Sequence, residues 1–193
     1  MIEDCTALIL AGGDSRRMGQ DKARLLFDGE TLLARVAGSM QQVFPEVIVS
    51  VRSPRPEVPW QQVCDDPKRG GPLAGVLAGM PAAQHPWLFV LGCDMPFVAP
   101  PLVEQLADMR GDYQAVVPVA GGHAQPLAAF YARSLLPELQ RLAQIDVRGL
   151  RDMLPHLRVN FVDATVLRTR DPSLRSFVDL DTPQDVEAAR ERG

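Results

Sequence analysis

The sequence predicts an α/β fold: a three-layer sandwich with helices on both faces of a mostly parallel sheet. Two observations predict it. Short β-branched or Leu-rich runs alternate with longer segments of helical period, and most of the short runs are apolar on both faces, as buried strands are. The chain also has 193 residues, 46% hydrophobic and 23% charged. That is enough for one domain with its own core, and it excludes a disordered, collagenous or coiled-coil chain.

The elements follow in order. Residues 7–10 are an apolar strand running straight into Gly12-Gly13, and residues 31–43 form a helix opened by Thr31. Residues 47–51 are the second strand; RSPRPEVP, residues 52–59, is broken by prolines and reads as a surface connection. A helix over 73–80 begins at a Gly-Pro step, a strand covers 87–91, and a helix after a Pro pair covers 102–109. Strands at 115–119 and 127–131 flank a Gly-rich turn, AGGHAQP, and a helix spans 134–143. Residues 164–176, with arginines among Thr, Asp and Pro, read as a loop. Thr182 then caps a last short helix with Pro183 at its first position. No repeat or low-complexity linker interrupts residues 1–193, so a single domain is expected.

The net charge of −4 excludes generic adhesion to nucleic acid or to anionic membranes. No apolar run approaches the roughly 18 to 20 residues of a membrane span. Cys5, Cys64 and Cys93 lack metal-type spacing, and MIEDCTALIL carries acids where a signal peptide is basic, so a soluble protein of the reducing cytoplasm is expected. His85, His123 and His156 show no zinc spacing, and no Ser/His/Asp triad is apparent.

In such folds ligands lie beyond the carboxyl ends of the strands. The first such loop holds a glycine pair that brings bare N–H groups close to a ligand. Over residues 12–24, Arg16, Arg17, Lys22 and Arg24 oppose only Asp14 and Asp21, a local excess of positive charge in an acidic protein. Polyphosphate suits that loop. A solvated basic turn is the plain alternative, and neither the Walker loop nor the dinucleotide fingerprint is present.

The longer string LAGGDSRRMGQDKARLLFDGETLL is more specific. It resembles the signature of the nucleotidyltransferases that build activated sugars and cofactors; LAGG with RMG and DK is similar to the molybdenum cofactor guanylyltransferase branch. VCDDPKRGGPLAGV at 63–76, VLGCDMPFV at 90–98 and FVDLDTPQDV at 177–186 follow in the family's order. The resemblance covers nearly the whole chain and implies a Rossmann-like nucleotidyltransferase sheet, with a nucleotide-binding N-terminal half and an acceptor-binding C-terminal half.

The resemblance also assigns roles. Leu10, Ala11, Gly12, Gly13 and Lys22 match the nucleotide-binding positions, and Arg17 the phosphate-contacting arginine. Asp94, ending a strand, matches the metal-binding aspartate, which implies Mg²⁺ held with phosphate oxygens. Cys93 alternates away from it and is expected to pack. The family's nucleotide-contacting aspartate corresponds to Asp65, with a register open by one to Asp66. Asp179 and Asp181 stand where the family usually has asparagines; Asp181 is a candidate for the acceptor or for a second metal carboxylate. Gln125, Arg148 and Arg151 match the acceptor side. Ser50 and Arg52 stand near a family asparagine whose contact does not carry over.

The reaction implied is guanylyl transfer from GTP to the terminal phosphate of molybdopterin, or of molybdenum-molybdopterin, with release of pyrophosphate. Handover from a metal-inserting enzyme and to molybdoenzyme chaperones is the family's expectation. A cytidylyltransferase for the same pterin, a sugar-phosphate nucleotidyltransferase, and a non-catalytic nucleotide-binding accessory protein are the alternatives.

Overall fold

The computed structural model describes residues 1–12, 21–66, 68–145, 147 and 149–191. Its main sheet carries β1 (Cys5–Leu10), β4 (Glu46–Val51), β5 (Gln61–Cys64), β6 (Trp87–Gly92), β7 (Ala115–Ala120), β9 (Ala128–Ala132) and β10 (Val159–Val162). These lie in the order β10-β7-β9-β6-β1-β4-β5, and a short β8 (His123–Ala124) pairs with β7. Only β8 and β9 run antiparallel to their neighbours, so the sheet is mostly parallel, as the alternating pattern predicts. A small hairpin, β2 (Leu26–Phe27) with β3 (Glu30–Thr31), stands apart.

Strand alternation sorts the core into two layers. Ala7 and Ile9 of β1 face one side, with Val49, Phe89 and Leu91; there they meet Leu33, Val36 and Met40 of α1 (Leu32–Gln41) and Leu102, Val103 and Leu106 of α3 (Pro100–Asp108). Leu8 faces the other side, against Leu73, Val76 and Met80 at α2 (Pro72–Gly79) and Leu139 and Leu142 of α4 (Leu136–Gln144). Each fully buried Leu or Ile contributes about 1.5–3 kcal/mol of transfer free energy, so this alternation fixes the register of the central strands.

The helix starts follow local chemistry. Thr31 Oγ1 accepts from Ala34 N at 3.2 Å, capping α1. Thr182 caps α7 (Pro183–Glu191) reciprocally: Asp185 N donates to Thr182 Oγ1 at 3.1 Å, and Thr182 N donates to the Asp185 carboxylate at 2.7 Å.

The segment expected as a loop at 164–176 contains a short helix, α6 (Ala164–Leu167), capped by Asp163, and a 3₁₀ turn at Arg175–Phe177 follows. The turn is knit by Asp171, whose carboxylate accepts from Ser176 N at 2.8 Å, Arg175 N at 3.1 Å and Ser173 Oγ at 3.2 Å. Ser176 Oγ in turn accepts from Ala99 N at 3.1 Å, tying the turn to the loop after β6. Burial opposes the Asp171 charge, yet the donors from Ser176, Arg175 and Ser173 hold its carboxyl below the usual aspartate value of 3.8. A lowered folded value means the stabilisation is complete above 3.8 and fades as pH falls through the folded value. Asp171→Ala is therefore expected to lower stability by about 1–3 kcal/mol near neutrality, and the gap to wild type should shrink on acidification in pH-dependent urea melts.

Candidate active site

Parallel neighbours bring the first loop and Asp94 together. In register, Leu10 of β1 lies beside Gly92 of β6 on one side and Ser50 of β4 on the other, so the three strands end level. Two bonds extend the pairing past the strand ends: Cys93 N donates to Leu10 O at 3.2 Å and Ala11 N to Ser50 O at 2.8 Å. Ala11-Gly12 and Cys93-Asp94 thus leave the sheet side by side.

Between them lies a cavity of about 360 Å³. Leu10, Ala11, Gly12, Lys22, Asp65 and Asp94 all line it, as do Ser50, Arg52 and Gly71. Asp65 is 6% exposed and is carried there because its N–H bonds Val51 O at 3.0 Å, one step beyond the β4–β5 ladder. Glycine at 12 leaves room for this carboxylate: a Cβ would stand 2.8 Å from an oxygen of Asp65 and would push that side chain from its place. Asp66 instead turns away to accept from Lys68 N at 2.9 Å, so the structure places Asp65, not Asp66, in the cavity. At the far wall Gly71, with φ of 85°, starts α2 in a left-handed conformation natural only to glycine. Gly70, Gly71, Pro72 and Gly75 stand in the cavity wall, so the positive dipole end of that helix borders the same space.

Lys22 bridges two acids: its Nζ is 3.2 Å from Asp94 Oδ2 and also bonds Asp181 Oδ1. Burial opposes its charge, but hydrogen bonding to Asp181 and attraction to Asp94 hold the ammonium above the ordinary lysine range, so it stays charged at neutral pH. Asp181 reaches this point because Leu180 N donates to Asp94 O at 2.8 Å and the Leu180 side chain is fully buried with Phe27, Leu32 and Val186. The segment before α7 is thereby docked on the loop after β6. Asp179 is exposed as a residue, yet partial burial of its carboxyl, with repulsion from Asp181 and Asp94, raises its proton affinity. Cys93 packs into the core as expected but also borders the cavity beside Asp94, and desolvation with nearby Asp94 pushes its thiol far above the ordinary range, leaving no thiolate to act as a nucleophile.

Gln125 and Arg151 lie elsewhere, at the β7–β8 turn. Gln125 Nε2 donates to Ala120 O and His123 O, each at 3.3 Å, and Arg151, on α5 (Leu150–Met153), donates to Ala124 O at 3.1 Å. They meet at this turn rather than in the cavity. Gly13, Arg16, Arg17 and Arg148 lie outside the described residues. The proline-broken stretch expected as plain surface supplies Arg52, which lines the cavity, and Arg55, which pairs with Asp21 at 2.7 Å. No local pattern marks either, because the role of each guanidinium is set by partners far along the chain.

Among the described residues no group of three or more His, Cys, Asp or Glu is arranged to hold a metal ion. The donor set nonetheless fits a hard divalent cation completed by phosphate oxygens, since carboxylates from two separate loops already converge on one cationic group, the Lys22 ammonium.

A mostly parallel sheet with Gly12, the Lys22 ammonium and the Asp94 carboxylate lining one cavity at its strand ends suits a nucleotidyltransferase, and similarity to known proteins gives that class. The chain belongs to the MobA-like NTP transferase domain family, whose profile matches residues 7–161. A protein of Pelotomaculum thermopropionicum named "Probable molybdenum cofactor guanylyltransferase" is 36% identical over 187 residues, 96% of this chain and 91% of the relative. One of the same name from Chloroflexus aggregans is 34% identical, covering 94% and 91%. The crystal structure of the Archaeoglobus fulgidus "Molybdopterin-guanine dinucleotide biosynthesis protein A" superposes with a TM-score of 0.84 at 27% identity, covering 97% of each chain.

Proposed function

We propose that this protein transfers a guanylyl group from GTP to the terminal phosphate of molybdopterin or molybdenum-molybdopterin. The convergence of Gly12, Lys22, Asp65 and Asp94 in one cavity carries the reading. The base and the acceptor come from the names of its relatives.

The acceptor phosphate oxygen attacks the α-phosphorus; a new P–O bond forms, and the bond to the bridging oxygen breaks, its electron pair leaving with pyrophosphate. A phosphate monoester is anionic at neutral pH, so alignment and charge neutralisation suffice without a protein nucleophile. Gly12 brings backbone close to the phosphates, and Lys22 acts as a point charge on them as they take its ammonium from the two acids. The start of α2 adds its dipole. Asp65 offers a carboxylate able to accept from the N1–H and N2–H groups of guanine. Arg17 would sit on the leaving pyrophosphate. Mg²⁺, held by Asp94 with Asp181 close by, would supply charge neutralisation at the phosphates.

In this reading the C-terminal half of a single domain receives the pterin, with Gln125, Arg148 and Arg151 on that side. The three free thiols, Cys5, Cys64 and Cys93, agree with a cytoplasmic setting. No helix of the described residues is long and apolar enough to cross a membrane. A metal-inserting enzyme and molybdoenzyme chaperones are the partners a labile product calls for.

Pyrophosphate release from GTP, ATP and CTP, each with molybdopterin and Mg²⁺, tests the proposal. Release from GTP well above the other two is expected. Equal or greater release from CTP would move the protein to cytidylyl transfer, and none from any nucleotide would make it an accessory protein.

A further inference from the structure

Arg55 stands behind the cavity rather than in its lining, yet its guanidinium touches both ends of the segment that follows β1. Nη2 lies 3.3 Å from Ala11 O and 2.7 Å from Asp21 Oδ2. Its side chain is 12% exposed, against 64% for Arg24 and 54% for Arg141 in surface pairs, so the cation of this pair is shielded from water although Asp21 is itself 39% exposed. The other carboxylate oxygen of Asp21 accepts from Ala23 N at 3.1 Å and caps the 3₁₀ turn Lys22–Arg24. One guanidinium therefore connects the backbone entering the cavity to the turn that carries the cavity's ammonium.

The mount of Arg55 is itself rigid. Gln62 on β5 accepts from Arg55 N at 2.8 Å and donates to Arg55 O at 2.9 Å and Val58 O at 3.1 Å. Pro54 and Pro56 flank the residue and restrict its backbone before any contact forms. Such a mount sets the place of a guanidinium closely, and both contacts are made by Nη2, which stands one bond further from the backbone than a lysine Nζ would, so an ammonium at this position falls short of them.

We propose that Arg55 is a positioning residue for nucleotide transfer: by tying Ala11 to Asp21, it sets the backbone of Ala11-Gly12 and the Lys22 ammonium at a fixed separation around the polyphosphate. The inference rests on the nucleotide reading of the cavity. It adds a residue that touches no substrate and acts through Asp21 and Lys22.

A double-mutant cycle on nucleotide affinity tests it, with magnesium–GTP titrated calorimetrically into wild type, Arg55→Met, Lys22→Ala and the double variant. Arg55→Met should weaken binding about tenfold to a hundredfold, and Arg55→Lys should restore little of it. In the Lys22→Ala background the same change should cost markedly less, because its route through Lys22 is already gone. Thermal melts establish that each variant is folded. Should Arg55→Met fail to fold, Asp21→Asn, which keeps the capping oxygen, takes its place in the cycle. Unchanged affinity in a folded variant, or losses fully additive with Lys22→Ala, would overturn the proposal. The titration uses whichever nucleoside triphosphate the wild type binds, so a wrong base or absent turnover would defeat the proposed reaction without deciding the role of Arg55.

Discussion

Asp94→Ala is expected to lower kcat by about a hundredfold to a thousandfold while weakening nucleotide binding far less. The carboxylate follows two residues after β6, stands 3.2 Å from the Lys22 ammonium and lines the cavity, where the proposed reading puts the phosphates. In the proposed reading, removing it would take away the partner of a metal that would neutralise charge during transfer, a contribution largest in the transition state. Its backbone is not expected to move, because Leu180 N is held by the Asp94 carbonyl rather than by its side chain. Steady-state rates and nucleotide titrations on the same preparation separate the two effects. A near-normal rate at saturating Mg²⁺ would remove Asp94 from the reaction.

Lys22→Ala is expected to act mainly on binding, raising KM for the nucleotide about tenfold to a hundredfold. The free protein shows a second consequence. With the ammonium gone, Asp94 and Asp181 face each other without the cation that now bridges them, and Asp179 adds to the repulsion. Such a site should bind Mg²⁺ alone more tightly than wild type does, while binding magnesium–GTP more weakly. Opposite signs in the two titrations identify Lys22 as both the phosphate ligand and the resident counter-ion of the acids. Unchanged affinity for the nucleotide would exclude it from the site.

Legibility in the sequence followed burial. Strands apolar on both faces, such as β1 and β6, stood out because the middle of a sheet demands such residues. The edge strands β5 and β10 did not: QQVC and VNFV are half exposed, and an edge strand shows too few apolar positions to separate from a loop. Asp94 was singled out by the family's motif, since an Asp after a strand is by itself an ordinary turn former. Gly12 and Lys22 were legible through the family's motif. The arrival of Asp181 beside Lys22 was not, since it depends on Leu180 packing under the hairpin and on one backbone bond to Asp94. Arg55 was hidden for a related reason: prolines on each side describe a surface loop correctly, but they say nothing about where a long side chain goes.

A structure determined with magnesium and a non-hydrolysable GTP analogue tests the central claim most directly. The triphosphate should run between the Gly12 backbone and Lys22 Nζ, with the metal on Asp94 and guanine toward Asp65 and the start of α2. A triphosphate bound away from those residues, for instance in the arginine-lined groove beside Phe97 and Arg175, would contradict it.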